Sequence, residues 1–178
     1  MRHYRKHKWR TTKKVIAVII GIILAVALIA LIILLFLSPF ILTNVILPTT
    51  IDTAQVESEI FELINEERCD HGLPKLNIDT NLKTIAKGWC DNLIEIGELT
   101  HGNFEQRIAS IDYQYYLCGE IIAYQNGWSL SLAQDFVDGW INSPEHYDIM
   151  MIESNGYMGV GVSKDGSAFY AVVDFRFM

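Results

Sequence analysis

Tyr157-Met-Gly-Val-Gly-Val-Ser-Lys-Asp-Gly-Ser-Ala-Phe-Tyr-Ala-Val-Val-Asp-Phe175 is the stretch whose reading decides the fold. Tyr157–Ser163 and Ala168–Phe175 are rich in β-branched and aromatic residues, which suit a pleated, half-buried surface. Between them Asp165-Gly166 supplies the positive backbone φ that a tight hairpin turn needs. Gly159-Val-Gly161 lies inside the first of these strands and not at a strand–turn–helix junction, so it is not read as a phosphate loop.

Working back from the hairpin, the apolar period changes from two to 3.6. Leu130–Ile141 places Leu132, Ala133, Phe136, Val137, Trp140 and Ile141 on one helical face, and Asn142-Ser143-Pro144 ends it. Tyr115–Tyr124 reads as a strand interrupted by Gly119, and Phe104–Ser110 as a short helix. Further back, a helix capped by Asp79 or Thr80 and stopped by Gly97 carries the stripe Leu82, Ile85, Ala86, Trp89, Cys90, Leu93, Ile94. Asp52–Gly72 is another helix, with Asp52 and Gln55 spaced as a capping box and Val56, Ile60, Leu63 and Ile64 at helical spacing. Helices, a strand, a helix and then a hairpin argue for an α+β domain with an antiparallel sheet.

Residues 1–50 have another character. The first 14 contain seven Lys or Arg and no acid, and residues 15–37 contain no charge at all. A helix of that length spans about 30 Å of hydrocarbon. The run is too long for the h-region of a cleavable signal peptide, and no small-residue cleavage pattern follows it. Core helices are rarely apolar all round over such a length. The segmentation expected is therefore a basic cytoplasmic tail (1–14), a transmembrane signal anchor (15–37) in the lipid bilayer, a linker (38–53) and a globular domain (54–178). Basic residues are retained on the cytoplasmic side, and the first one after the span is Arg68, so the C-terminal domain is expected outside the cell membrane.

The net charge of −7 hides an asymmetry: after residue 51, seven basic residues against 21 acidic ones leave −14. Such a domain repels nucleic acid and anionic head groups, which argues against a DNA-binding role. Three cysteines, Cys69, Cys90 and Cys118, are too few for a disulfide-stapled scaffold. Cys69 falls off its helix's apolar stripe and is expected exposed, whereas Cys90 lies on one, so any single bridge is expected to involve Cys90 or Cys118.

Chemistry has few places to live. His71 stands at a helix C-terminus, where a cation is favoured without any further role. His101 and His146 follow amphipathic helices, in loops of the kind that carry sites. Glu120 interrupts an apolar strand, so either it faces solvent or something cationic, a metal or His⁺, sits against it. A Cys118–His nucleophile pair is weakly signalled, and neither HExxH nor CxxC occurs.

Six stretches, in order, resemble the CAP superfamily (cysteine-rich secretory, antigen 5 and pathogenesis-related proteins) in its prokaryotic SCP-like form. They are Leu63-Ile-Asn-Glu-Glu-Arg68, Gly72-Leu-Pro-Lys-Leu76, Leu99-Thr-His101, Gly119-Glu120-Ile-Ile-Ala123, Trp140-Ile-Asn-Ser-Pro144-Glu-His146 and Met158-Gly-Val-Gly-Val162. The resemblance covers about residues 54–178. It implies an α-β-α sandwich around a three-stranded antiparallel sheet, and a cleft lined by two His and two Glu that in some members holds a divalent metal. Carried over, the cleft residues are His101, Glu120, Ser143 and His146, with Ser143 where the second Glu would fall. Glu145, where the family commonly has Gly, is a stand-in for that carboxylate. His101, Glu120 and His146 would be the metal ligands, since two imidazoles and a carboxylate are a common zinc set with an open fourth position.

Three functions follow as expectations. The first is a membrane-anchored extracytoplasmic domain binding a small apolar, peptide or glycan ligand in a His/Glu-lined cleft. The second is a metal-assisted, protease-like hydrolase using His101, Glu120 and His146. The third is a structural cell-surface interaction domain with a vestigial cleft.

Overall fold

A computed structural model of the chain describes Ile16 and residues 18–33, 50–111 and 117–178. The chain divides into two compact units, 1–50 and 51–178. In the first, residues 18–33 form helix α1, whose side chains are exposed throughout. The tail, residues 15, 17 and 34–37 of the expected span, and the linker up to residue 49 lie outside the described residues. Among the described residues no helix is long and apolar enough to cross a membrane.

The second unit runs α2 (Thr53–Asp70), β1 (Asn77–Ile78), α3 (Thr80–Ile96), α4 (Phe104–Ala109), β2 (Leu117–Asn126), α5 (Leu132–Ile141), α6 (Pro144–Met150), β3 (Gly156–Asp165) and β4 (Ala168–Phe177). The strands form one sheet in the order β1-β3-β4-β2. The hairpin pairs Gly156 with Phe177 and Asp165 with Ala168, and Gly166 takes the φ of +57° that the turn demands.

The sheet has four strands where three were expected. Asn77↔Tyr157 and Ile78↔Met158 add a short parallel strand to the antiparallel three. Two residues between Pro74 and the Asp79 helix cap are too few to show any periodicity. A second departure is α6: Asn142-Ser143-Pro144 ends α5, but Pro144 also opens a new helix, the position where its missing N–H costs nothing. The capping box is only half made. Asp52 accepts from Ala54 N, but Gln55 turns to Glu59.

Helices cover both faces of the sheet. Val56, Ile60 and Ile64 of α2, Phe136 and Trp140 of α5 and Met150 of α6 pack with Ile121, Val160, Val173 and Phe175. Ala86, Cys90 and Leu93 of α3 pack with Ile122 and Val172 on the opposite face. Adjacent residues of β4, Val172 and Val173, thus serve different cores, as the strand period of two dictates. Beyond Met158 no described strand pairs with β3 on its β1 side, and there Val162 N donates to Glu57 Oε1 (3.0 Å) while Lys83 pairs with the other Glu57 oxygen at 2.8 Å. Cys69 is an exposed free thiol; Cys90 is buried, with its pKa pushed up by burial, and donates to Gly161 O.

Candidate functional site

Trp89 organises the site. Its indole N–H donates to Thr100 O at 2.9 Å, which fixes the loop carrying His101. Gly102 follows at φ +49°, and a Cβ there would lie 2.4 Å from the same indole, so the loop folds this closely only with glycine. The Arg107 guanidinium of α4 rests 3.9 Å from the centroid of the Trp89 ring, a cation–π contact.

Glu120 is buried on β2, and its anomaly in an apolar strand is resolved by two partners. His101 Nδ1 bonds Glu120 Oε1 at 2.7 Å, and Arg107 Nη2 pairs with Glu120 Oε2. Arg107 Nη1 also donates to His101 O (3.0 Å) and to Asn103 Oδ1 (3.1 Å), so one guanidinium ties the imidazole's own backbone to the carboxylate beneath it. The His101 side chain is about half exposed while that of Glu120 is buried.

Opposite Glu120 in the ladder stands Asp174, completely buried. No described donor completes a hydrogen bond to its carboxyl oxygens. Burial first, and then the Glu120 carboxylate, hold its pKa well above the usual carboxylate range, and Arg107 offsets this only in part. Protonated, Asp174 is placed to donate to Glu120. A carboxyl group that binds its proton more tightly folded than unfolded loses stability as pH rises from its ordinary value of about 3.9. Asp174→Asn removes that loss, so the variant is expected to be more stable than wild type at neutral pH, with the difference disappearing towards pH 4. Thermal melts between pH 4 and 8 check both expectations.

His146 lies on α6, half-buried. The helix reaches the site because Gly119, next to Glu120, has no side chain: a Cβ would stand 2.7 Å from Ile149 Cγ2. Burial and then the nearby His101 ring lower the pKa of His146, and Glu145 opposes them. The imidazole is thus held neutral at physiological pH, an acceptor as well as a donor. Ser143 takes the N-cap position of α6 without a side-chain capping bond, and Glu145 is exposed in the first turn.

The structure therefore joins His101 to Glu120 directly and His146 to His101 through the field between them. Among the described residues no group of three or more His, Cys, Asp or Glu is arranged to hold a metal ion. Glu120, the expected carboxylate ligand, has both oxygens engaged, and Arg107 places a fixed positive charge against it. The donor set does not fit the zinc centre that the resemblance implies. Arg107, Trp89 and Asp174 are the site residues that sequence reasoning missed.

Away from this site, His71 Nε2 and Glu67 Oε1 both meet Tyr147 Oη, at 3.3 and 3.2 Å, which links the end of α2 to α6.

Comparison with known proteins agrees with this architecture. The chain is 28% identical over 113 residues to the uncharacterized membrane protein YlbC of Bacillus subtilis, covering 61% of this chain and 32% of that one. It is 32% identical over 105 residues to an uncharacterized protein of Borreliella burgdorferi, covering 57% and 64%. It thus spans between about a third and two thirds of these curated relatives. Among solved structures it is similar to an outer surface protein of Borrelia burgdorferi, with TM-score 0.63 and 29% identity over 71% of this chain and 96% of that one. An extracellular SCP-domain protein of Bacillus anthracis superposes with TM-score 0.58 at 25% identity, over 71% and 41%. Residues 61–175 match the model of the cysteine-rich secretory protein family, CAP, and the chain belongs to that family.

Proposed function

We propose that the chain is a membrane-tethered, extracytoplasmic binding domain whose His101–His146 cleft takes a small apolar, peptide or glycan ligand of the cell envelope. The observation that carries this reading is the Glu120 carboxylate. Both its oxygens are spent on His101 and Arg107, so it stiffens the imidazole instead of lying open to water or to a cation. A ligand would meet the half-exposed His101 ring and the neutral His146. The tether rests on the uncharged residues 15–37 behind seven basic ones, and the outside placement on the positive-inside rule. Similarity to proteins described as a membrane protein and an outer surface protein supports it.

The test presents the full-length chain, in detergent or nanodiscs, to arrays of envelope glycans and peptides, beside a His101→Ala/His146→Ala variant. Losing one hydrogen bond to a ligand costs about 1–1.5 kcal/mol, so with both imidazoles gone affinity should fall about thirtyfold or more. Equal retention by both proteins would remove the cleft from the reading.

One observation favours hydrolysis as a second reading: a His held neutral beside another His is the state a general base requires. In that case turnover of an envelope peptide or glycan would vanish in His146→Ala and persist, reduced, in Glu120→Gln. Turnover unchanged in His146→Ala excludes this reading.

A further inference from the structure

The loop from Gly127 to Ser131 holds two large apolar side chains out into solvent. Trp128 is 54% exposed and Leu130 75%, the highest value among the large apolar side chains described. Beneath them the loop is tied down by polar contacts. Gly127 N donates to Ser167 O (2.9 Å), Ser131 N to Ser129 Oγ (3.1 Å), and Asp135 accepts from Ser131 Oγ and Gln125 Nε2. Exposing a large apolar side chain forgoes the stabilisation its burial would bring, and here the loop is built to forgo it twice.

The position of the loop says what could cover it. The Gly127–Ser167 bond sets it against the β3–β4 turn. Ser131, Ala133 and Gln134 share a groove with Ser58 and Glu59 of α2. Glu57 of α2 bonds Val162, three residues before the turn begins. The first turns of α2, the hairpin turn and the apolar loop therefore occupy one end of the domain, and this is the end at which the chain enters, at Ile51. Thirteen residues lie between Leu37 and Ile51, which bounds their separation at about 50 Å whatever path the chain takes. On the tethered reading, this end of the domain cannot leave the neighbourhood of the bilayer.

We propose that Trp128 and Leu130 form a membrane-contact loop that seats the domain, entry end first, on the bilayer carrying its own tether. The proposal rests on the tethered reading. Trp settles at the head-group level of a bilayer, where its ring is buried and its N–H stays wet. Asp135 is bonded to the loop, Glu59 shares its groove, and Asp165 lies in the adjoining hairpin turn, so the surface it fits is zwitterionic, and anionic lipid weakens the contact.

The test uses the full-length chain reconstituted in phosphatidylcholine vesicles with and without brominated acyl chains, which quench tryptophan on contact. Subtracting the emission of Trp128→Phe isolates Trp128 from Trp9, Trp89 and Trp140. Bromination is expected to lower the Trp128 emission about twofold, and Leu130→Ser to restore most of it. Trp128 emission indifferent to bromination overturns the proposal. So does a shift from dimer to monomer in Trp128→Ser/Leu130→Ser without quenching, which would make the loop a contact between copies. An alkaline carbonate wash separates the two readings. A chain that washes off loses the tether, yet Trp128 quenched on adding brominated vesicles to it would still support the loop, and its absence would sink both.

Discussion

Gly159→Ala is expected to lower the stability of the domain by about 3 kcal/mol or more, far beyond what one methyl group suggests. A Cβ on Gly159 would lie 2.0 Å from Lys83 N and 2.3 Å from Leu82 C, and one on Gly161 would lie 2.3 Å from Lys87 N. These are backbone atoms of α3, which no rotamer change can move aside. The spacing is matched: two residues along a strand advance about 6.7 Å, and four along a helix about 6 Å. Two glycines of β3 therefore form a trough in which successive turns of α3 lie. Either alanine must lift the helix and open the core of Ala86, Cys90, Leu93, Ile122 and Val172. Gly88, on the outer side of the same helix, meets nothing within 4 Å, so Gly88→Ala should raise stability by about 0.5–1 kcal/mol. Urea unfolding of the three proteins is the measurement, and a Gly159→Ala midpoint equal to wild type would show that α3 shifts freely on the sheet. Because α3 carries Trp89, lifting it should also release Thr100 and Arg107, and with them the orientation of His101.

That trough also marks how far the sequence could be read. Gly159 and Gly161 were visible as glycines in a strand, and a strand glycine signals close backbone approach, but which helix approaches is tertiary information. The hairpin, the α3 stripe and the core faces of α2 and α5 were legible because each buries one face and repeats at its own period. Within α3, Leu82, Ala86, Cys90 and Leu93 are fully buried, while Trp89 packs against the edge of that core and also holds the site through its N–H. β1 and α6 escaped because two residues show no period and because Pro144 was read as an end, when it is also a beginning.

At the site, the anomaly of Glu120 was readable, with exposure to solvent or a cation, metal or His⁺, against it as the alternatives. The cation is Arg107, and it went unrecognised because an arginine on a short, mostly polar helix looks like solvated surface. Asp174, in Ala171-Val-Val-Asp174-Phe175, carried the same signal as Glu120, an acid inside an apolar strand, and could have been found by the same argument. That the two pair across β2 and β4 depends on strand order, which one sequence does not contain.

The other large effect is expected at Arg68. Its side chain is fully buried near the end of α2, and its guanidinium donates to four backbone carbonyls: Pro74 (3.1 Å), Met150 (2.6 Å), Ile152 (3.1 Å) and Ser154 (3.0 Å). Three of those carbonyls lie more than 80 residues away, at the end of α6 and in the turn leading to β3, and the fourth lies in the loop before β1. One planar fork with five donors thus satisfies backbone that has no helix or ladder to satisfy it. Asn65, one turn earlier, does the same for Leu76, accepting from its N–H at 2.8 Å and donating to its carbonyl at 3.1 Å. Arg68→Met fills much of the same volume but takes the guanidinium from the carbonyls of Pro74, Met150 and Ser154 at a buried junction, while Ile152 O keeps the N–H of Ser154. Each orphaned acceptor costs about 1–3 kcal/mol, with water recovering part of the sum, so a net loss of roughly 3–5 kcal/mol is expected from urea unfolding. Arg68→Lys should fall between, since an ammonium has three donors and no flat fork. A wild-type midpoint for Arg68→Met would mean that the segment after α6 holds its place without the guanidinium. The expected result would mean that the position of α6, which carries His146, is set from the C-terminal end of α2.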